Sequence, residues 1–310
     1  MSSSPDIYCS HYGLTERPFL LPPDPAFMFW AKGHQSAFTI LEYGLVTRAP
    51  ITLLTGEVGA GKTTLLHYLL GTIEEEVRVG LVSNAQGNHD QLLRWVLHAF
   101  DQPAPADKPY VDLFAQLQTF LLDEYAAGRR VILIFDEAQV LSVSALEELR
   151  MYTNINSGKD EILQLILVGQ PELRDTVRRP DLTQFAQRVS VSYHLKALSA
   201  ADVREYIAHR VTTVGGAADL FSAEACNLIH ERTRGVPRLI NQLCDFALLY
   251  GSIEGATWIS EDLVQQVLDE GVFFGGGADP AQAPADAKPD DREILRLVDP
   301  RVTPEEGRDG

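Results

Sequence analysis

Glycine, lysine and threonine stand together at Gly56-x-x-x-x-Gly61-Lys62-Thr63, a spacing suited to holding phosphate. Glycines let the backbone curl until several N–H groups point at one anion, and a helix starting near Lys62 adds the positive end of its dipole. In such a loop the lysine ammonium reaches the β- and γ-phosphates and the hydroxyl of Thr63 completes a Mg2+ shell. Gly56, Glu57, Val58, Gly59, Ala60, Gly61, Lys62, Thr63 and Thr64 are therefore the candidates for binding ATP with Mg2+. Further along, Asp136-Glu137-Ala138-Gln139 follows the apolar run Val131-Ile132-Leu133-Ile134-Phe135. Carboxylates at the C-terminal end of a parallel strand sit at the crevice where open α/β sheets bind ligands. Asp136 is placed to hold the Mg2+ shell as a Walker B aspartate, and Glu137 to polarise the attacking water. An apolar run ending in Asp-Glu is by itself an ordinary strand end; the phosphate loop upstream gives it meaning.

These groups need a scaffold, and the flanking patterns supply one. Ile51 to Thr55 reads as a buried strand before the loop, and Thr63 onward as a helix with Leu65, Leu66, Leu69 and Leu70 on one side. Val77 to Val82, Val131 to Phe135 and Ile162 to Val168 read as further strands. Val189 to Leu195 alternates and closes the sheet. Helices are expected over about 34–48, 90–100 and 111–127, with Phe38, Leu41 and Leu45 of the first facing inward. The strand at Ile162 ends in Gly169-Gln170-Pro171-Glu172, where Gln170 is the amide able to touch a γ-phosphate or a water. Leu173 to Arg188 is an arginine-rich stretch carrying Arg174, Arg178, Arg179 and Arg188.

From Ser199 the pattern turns helical: Ala200 to Val214, Ser222 to Arg234, Pro237 to Tyr250 and Ser260 to Leu268. Ser199 and Ser222 suit N-caps, and Pro237 sits early in its helix, where a missing N–H costs least. Gly235-Val236-Pro237-Arg238 opens a helix from which Arg238 could swing over a nucleotide. Strands first and helices afterwards predict an α/β core followed by a helical lid. The expected division is an arm over 1–33, a nucleotide-binding α/β domain over 34–196, a lid over 197–270 and a flexible acidic tail over 271–310. The arm is rich in proline and aromatics, which excludes a long helix and predicts an extended segment wrapping a neighbouring surface. His34 and nearby apolar groups are candidates for one wall of a base pocket. In the tail, 275–289 has linker composition, and Asp290 to Val298 could form a short helix.

Composition narrows the classes. With 310 residues there is enough chain for a substantial core, and 45% hydrophobic with 22% charged residues is usual for a globular protein. A net charge of −17, from 43 acids against 26 bases, argues against a surface built mainly for nucleic acid. Cys9, Cys226 and Cys244 lack CxxC spacing, so buried thiols are expected rather than a disulfide framework or a zinc site. The start of the chain resembles no signal peptide, and no run reaches the ~18 apolar residues of a membrane span. A cytoplasmic protein is expected, whose membrane contact would pass through a partner.

GEVGAGKTT, ILIFDEAQ, LILVGQPEL, FAQRVSV and GVPRLINQLCD, in this order, resemble an AAA+ ATPase of the ExeA or general secretion pathway protein A type. Within that type the sequence is most similar to the secretion ATPases encoded with exosortase (PEP-CTERM) and exopolysaccharide loci. The resemblance covers roughly residues 6–270 and includes the opening YGLTERPFLLPPDPAFMFW. It implies a P-loop core with a five-stranded parallel sheet of order 5-1-4-3-2, a helical lid, and assembly into a homo-oligomeric ring. It also implies a sensor 2 arginine at Arg238, an arginine finger acting on the next subunit at Arg188, and a sensor 1 at Gln170. Proteins of this type often continue into a membrane span and a peptidoglycan-binding domain, neither of which this sequence shows. The function implied is an ATP-driven motor or switch for envelope secretion or polysaccharide export, working with a membrane-associated partner. Two other classes share the core: ATPases that remodel DNA, disfavoured by the charge and by the lack of an appended helix-turn-helix, and binding modules without turnover, disfavoured by intact Lys62, Asp136 and Glu137.

Overall fold

β-Branched and leucine side chains in unbroken runs make strands that are covered on both faces, and that is how the centre of the molecule is built. β1 (Ile51–Gly56) and β6 (Leu163–Gly169) are buried at every position. With β2 (Val77–Ser83), β3 (Arg130–Asp136) and β7 (Val189–Leu195) they form a parallel five-stranded sheet in the order β2-β3-β6-β1-β7. Counting only strands of this sheet, the order is 2-3-4-1-5, the expected 5-1-4-3-2 seen from its other edge. The remaining strands, β4 (Asn156–Ser157) and β5 (Asp160–Glu161), make a small antiparallel ribbon outside it. The computed structural model describes residues 7–22, 24–73, 76–83, 89–157 and 160–275. The short helix expected over 290–298 lies outside the described residues.

Alternation along each strand sorts neighbouring residues to opposite layers. Leu53, Val131, Leu133, Phe135, Leu165 and Leu167 face one apolar core, covered by α4 (His89–Ala99), α5 (Tyr110–Ala126) and α6 (Val143–Tyr152). Leu54, Ile132, Ile134, Ile166 and Val168 face the other, covered by α2 (Lys32–Val46) and α3 (Lys62–Thr72). Helix α6 and the β4–β5 ribbon occupy a stretch to which the sequence patterns assigned no element. Ser142 caps α6 by accepting from Ala145 N at 3.1 Å, and Leu146, Leu149 and Tyr152 form its buried stripe. The arginine-rich stretch is broken at Pro180 into α7 (Pro171–Val177), a 3-10 turn (Pro180–Leu182) and α8 (Thr183–Arg188), because the ring cannot continue a helix begun before it.

Beyond β7 come α9 (Ala200–Thr213), α10 (Ala223–Thr233), α11 (Pro237–Glu254) and α12 (Glu261–Asp269). Ser199, Ser222 and Ser260 each accept a backbone N–H as N-caps, Ser199 within a full capping box with Asp202. Among its described residues before α2, the N-terminal arm holds a single-turn helix, α1 (Cys9–Tyr12), and a 3-10 turn, Pro25–Phe27. The surface it wraps is the lid. Tyr8, Leu14, Phe19 and Phe27 share one apolar core with Val203, Ile207, Leu243 and Leu248 of α9 and α11. Phe273, beyond the expected lid boundary, is buried in that same core. Cys9, Cys226 and Cys244 are buried, and no disulfide joins them. Among the described residues no helix is long and apolar enough to cross a membrane.

Candidate functional site

β1 delivers the chain to the centre of the sheet's C-terminal edge, where Gly56 starts the loop. Gly59 and Gly61 have φ of 78° and 96°, the left-handed region that favours glycine. Gly61 caps α3 without a side-chain acceptor, so the first amides of that helix are left for an external acceptor. Lys62 is buried and donates from Nζ to the carbonyls of Gly56 and Glu57 at 2.8 and 2.9 Å. Burial lowers the pKa of its ammonium, against the opposing pull of Glu137, Asp136, Glu57 and Glu172. Ala60 is buried, Glu57 and Val58 are exposed, and Thr63 and Thr64 are partly exposed at the start of α3.

Two strands away, β3 ends in Asp136. Its Oδ2 accepts from Thr63 Oγ1 at 3.0 Å, and its Oδ1 from the backbone N of Glu137 at 2.9 Å. Oxygen ligands of this hardness suit Mg2+, which is usually held by one or two protein groups together with phosphate oxygens. Among the described residues there is no larger cluster of His, Cys, Asp and Glu that could hold a metal. The donor set therefore fits a nucleotide-bound Mg2+ and not a cage made wholly of protein. Glu137 Oε2 accepts from Gln170 Nε2 at 3.3 Å and from Gln139 Nε2 at 2.5 Å. Gln170 thus touches the candidate base itself, from its position directly after β6.

The opposite side of the loop is closed by the arm and the lid. His34 Nε2 lies 3.1 Å from Ala60 O, so the neutral ring carries its proton there, and burial lowers its pKa. Arg238, at the start of α11, donates its backbone N to Gly59 O at 3.2 Å. A Cβ on Gly59 would come within 2.6 Å of Arg238 Cβ, so this glycine is required for the contact as well as for its φ. Between loop, arm and lid lies a cavity of about 210 Å³, lined among others by Phe27, Phe29, His34, Tyr206, Arg210 and Arg238. Its apolar rings and few convergent polar groups are what a purine base requires.

Several residues of this half escaped the sequence patterns. Arg210 Nε donates to Pro18 O at 2.5 Å, and its guanidinium stands 4.6 Å from the centre of the Phe27 ring. Tyr206 OH donates to Asn241 Oδ1 at 2.7 Å, and Asn241 Nδ2 to Leu20 O at 3.1 Å. No motif announces them, since each partner is far away in the chain. Gln139 stood inside a recognised motif without an assigned role.

Arg188 is elsewhere. Val189, which follows it, pairs with Ile51 at the far end of β1 from Gly56, roughly 17 Å away at about 3.3 Å per strand residue. Its guanidinium donates to Thr153 O and pairs with Glu161, both at 3.3 Å, and also bonds Asn154. Arg179 pairs with Asp181 at 2.8 Å, and Arg178 is exposed.

The AAA domain family matches residues 46–177, from the last residue of α2 to the end of α7. General secretion pathway protein A of Aeromonas hydrophila is 35% identical over 277 residues, covering 87% of this chain and 51% of that protein. The chain thus spans about half the length of that relative. Among solved structures, Cdc6p of Pyrobaculum aerophilum aligns with a TM-score of 0.61 at 16% identity, covering 84% of this chain and 70% of that one. The ORC2 protein of Aeropyrum pernix aligns at 0.59 and 20%, covering 82% and 71%. At those identities the likeness is one of fold. With the loop, the strand-end carboxylates and the helices after β7 around one cleft, the chain has the fold of a P-loop AAA+ ATPase, carries a stretch that matches the AAA domain family, and resembles general secretion pathway protein A.

Proposed function

We propose that the chain binds ATP with Mg2+ in the cleft between phosphate loop, arm and lid, hydrolyses it, and does so as a homo-oligomer serving envelope secretion or polysaccharide export. The observation that carries the hydrolytic part is the 3.0 Å bond between Thr63 Oγ1 and Asp136 Oδ2, which joins the phosphate loop to the strand-end carboxylate. When bound, MgATP supplies the transferable γ-phosphoryl and a cation that neutralises its oxygens. Lys62, now bonded to two loop carbonyls, would turn to phosphate oxygens, and Thr63 and Asp136 would hold the Mg2+. Glu137 takes the proton of the attacking water at its carboxylate. Gln170 holds that carboxylate, and Arg238 closes the lid over the phosphates.

Arg188 is assigned to the next subunit's site. Its distance from its own phosphate loop is what a residue acting in trans requires. A cation supplied there is worth about 10³–10⁵ in rate in related phosphoryl transfers. The biological setting rests on the likeness to general secretion pathway protein A, with a membrane-associated protein as the partner at the inner membrane.

Mixing variants tests the assembly. Arg188→Ala binds ATP normally and turns it over roughly 10³-fold or more slowly, and adding Lys62→Ala protein partly restores activity by pairing an intact loop with an intact finger. Wild-type turnover by Arg188→Ala, under conditions where the wild type assembles, overturns the assignment and passes it to Arg178 or Arg179. Pull-down from the native host with Glu137→Gln, which holds ATP, identifies the partner.

A further inference from the structure

Glu137 leaves β3 with φ of 56°, a left-handed backbone that residues other than glycine seldom adopt. The chain turns there into a 3-10 segment, Ala138–Val140, which lays Gln139 against the tip of β6. Room exists because residue 169 is glycine: a Cβ on Gly169 would stand 3.0 Å from Gln139 Oε1 and 3.3 Å from Gln139 N.

Both ends of the Gln139 amide are engaged. Oε1 accepts from the backbone N of Gln170 at 3.0 Å, and Nε2 donates to Glu137 Oε2 at 2.5 Å. The orientation is forced, since the Gln170 N–H can only donate and so must face the carbonyl oxygen, which turns Nε2 toward the carboxylate. Gln170 Nε2 donates to the same Oε2 at 3.3 Å. Among the described residues no hydrogen bond reaches Glu137 Oε1. One oxygen of the carboxylate is anchored twice and the other is open.

We infer that Gln139 is a positioning residue for hydrolysis: its amide clamps the Glu137 carboxylate to the tip of β6 and leaves Oε1 to take the proton of the attacking water. This rests on Glu137 being the base. A glutamate has several flexible torsions, and Lys62 offers a competing charge nearby. Fixing the carboxylate through folding removes that search from each turnover. The clamp also ties the base to Gln170, so both act from one rigid unit.

The test is Gln139→Leu, which keeps the bulk and removes both bonds, read by single-turnover ATP hydrolysis, nucleotide affinity and melting temperature. The expected result is a fall in rate of about tenfold to a hundredfold, the size of a hydrogen bond to a charged group, with affinity within about twofold of wild type. Gln139→Glu, which replaces the donor by an oxygen beside Glu137, should fall at least as far and serves if the leucine variant does not fold. The decisive arm is the Glu137→Gln background, where adding Gln139→Leu should cost no further rate, because the effect passes through the carboxylate. Wild-type turnover by both Gln139 variants, an equal loss in the Glu137→Gln background, or a matching loss of affinity each overturns the inference. If instead Glu137→Gln itself hydrolyses ATP normally, the assignment of the base fails first, and the two failures are told apart.

Discussion

The cleft has two walls built on different principles. One is the C-terminal edge of the sheet, where Gly56, Asp136 and Gln170 stand at or just past the ends of adjoining strands, held by parallel pairing of fully buried backbone. The other is the arm and the lid, with Phe27, Phe29, Tyr206 and Arg210 held by side-chain bonds between segments some two hundred residues apart, such as Arg210 to Pro18 and Asn241 to Leu20. The first wall carries the charges proposed to meet phosphate, apart from Arg238 of α11. The second carries rings and amides that suit a base. Stability and chemistry are therefore divided: the first wall can lose a functional group without losing its frame, whereas the second is its own frame.

Lys62→Ala separates the walls most strongly. Nucleotide affinity should fall roughly a hundredfold or more in calorimetry, through loss of charge-assisted bonds to phosphate. The fold should lose at most about 1 kcal/mol, because burial already disfavours the Lys62 charge. Unchanged affinity would remove the phosphate-loop assignment. Arg210→Ala should do the reverse, destabilising the protein by about 2–4 kcal/mol through the stranded Pro18 carbonyl and the lost ring contact. Denaturant unfolding reads this. A silent Arg210→Ala would mean that the arm is not part of the lid's frame.

Truncation sharpens the boundary of the second wall. Ending the chain after Gly275 should leave the melting temperature unchanged, while ending it after Gly271 removes buried Phe273 and should cost about 2–4 kcal/mol. Equal melting temperatures for the two products would contradict the packing of Phe273. The smallest effect concerns His34, which sits between the walls beneath Ala60. Its folded pKa lies below the usual 6.5 because it is buried, so the unfolded chain binds the proton more readily. Stability is then level above that pH and declines as pH falls through it. Thermal melts at pH 7.5 and 5.5 should show a smaller decline for His34→Gln, whose amide retains a donor toward Ala60 O; His194 and His209, lowered in the same direction, set the remainder.

The same division explains what could be read from the amino acids. The phosphate loop, Asp136 and Glu137 are contiguous with the strands that position them, so a local pattern carries element and chemistry together. The sheet order came from the resemblance to AAA+ proteins, because periodicity finds strands without pairing them. Arg210 looks like any charged residue on α9 until Pro18 is folded against it, and Tyr206 looks like core. Helix α6 was missed although Ser142 and the spacing of Leu146, Leu149 and Tyr152 carry an ordinary helical signal. Gln139 was hidden for another reason: its role depends on the left-handed turn at Glu137 and on the absence of a side chain at Gly169, and neither is visible as a property of Gln139.

The most direct measurement of the central claim is ATP binding and turnover by Glu137→Gln beside the wild type. The change keeps the shape of the side chain and removes its basicity. The account predicts undiminished ATP affinity with hydrolysis slower by about 10²–10⁴-fold. Turnover near the wild-type rate would contradict it, and would mean that the carboxylate at the end of β3 is not the base.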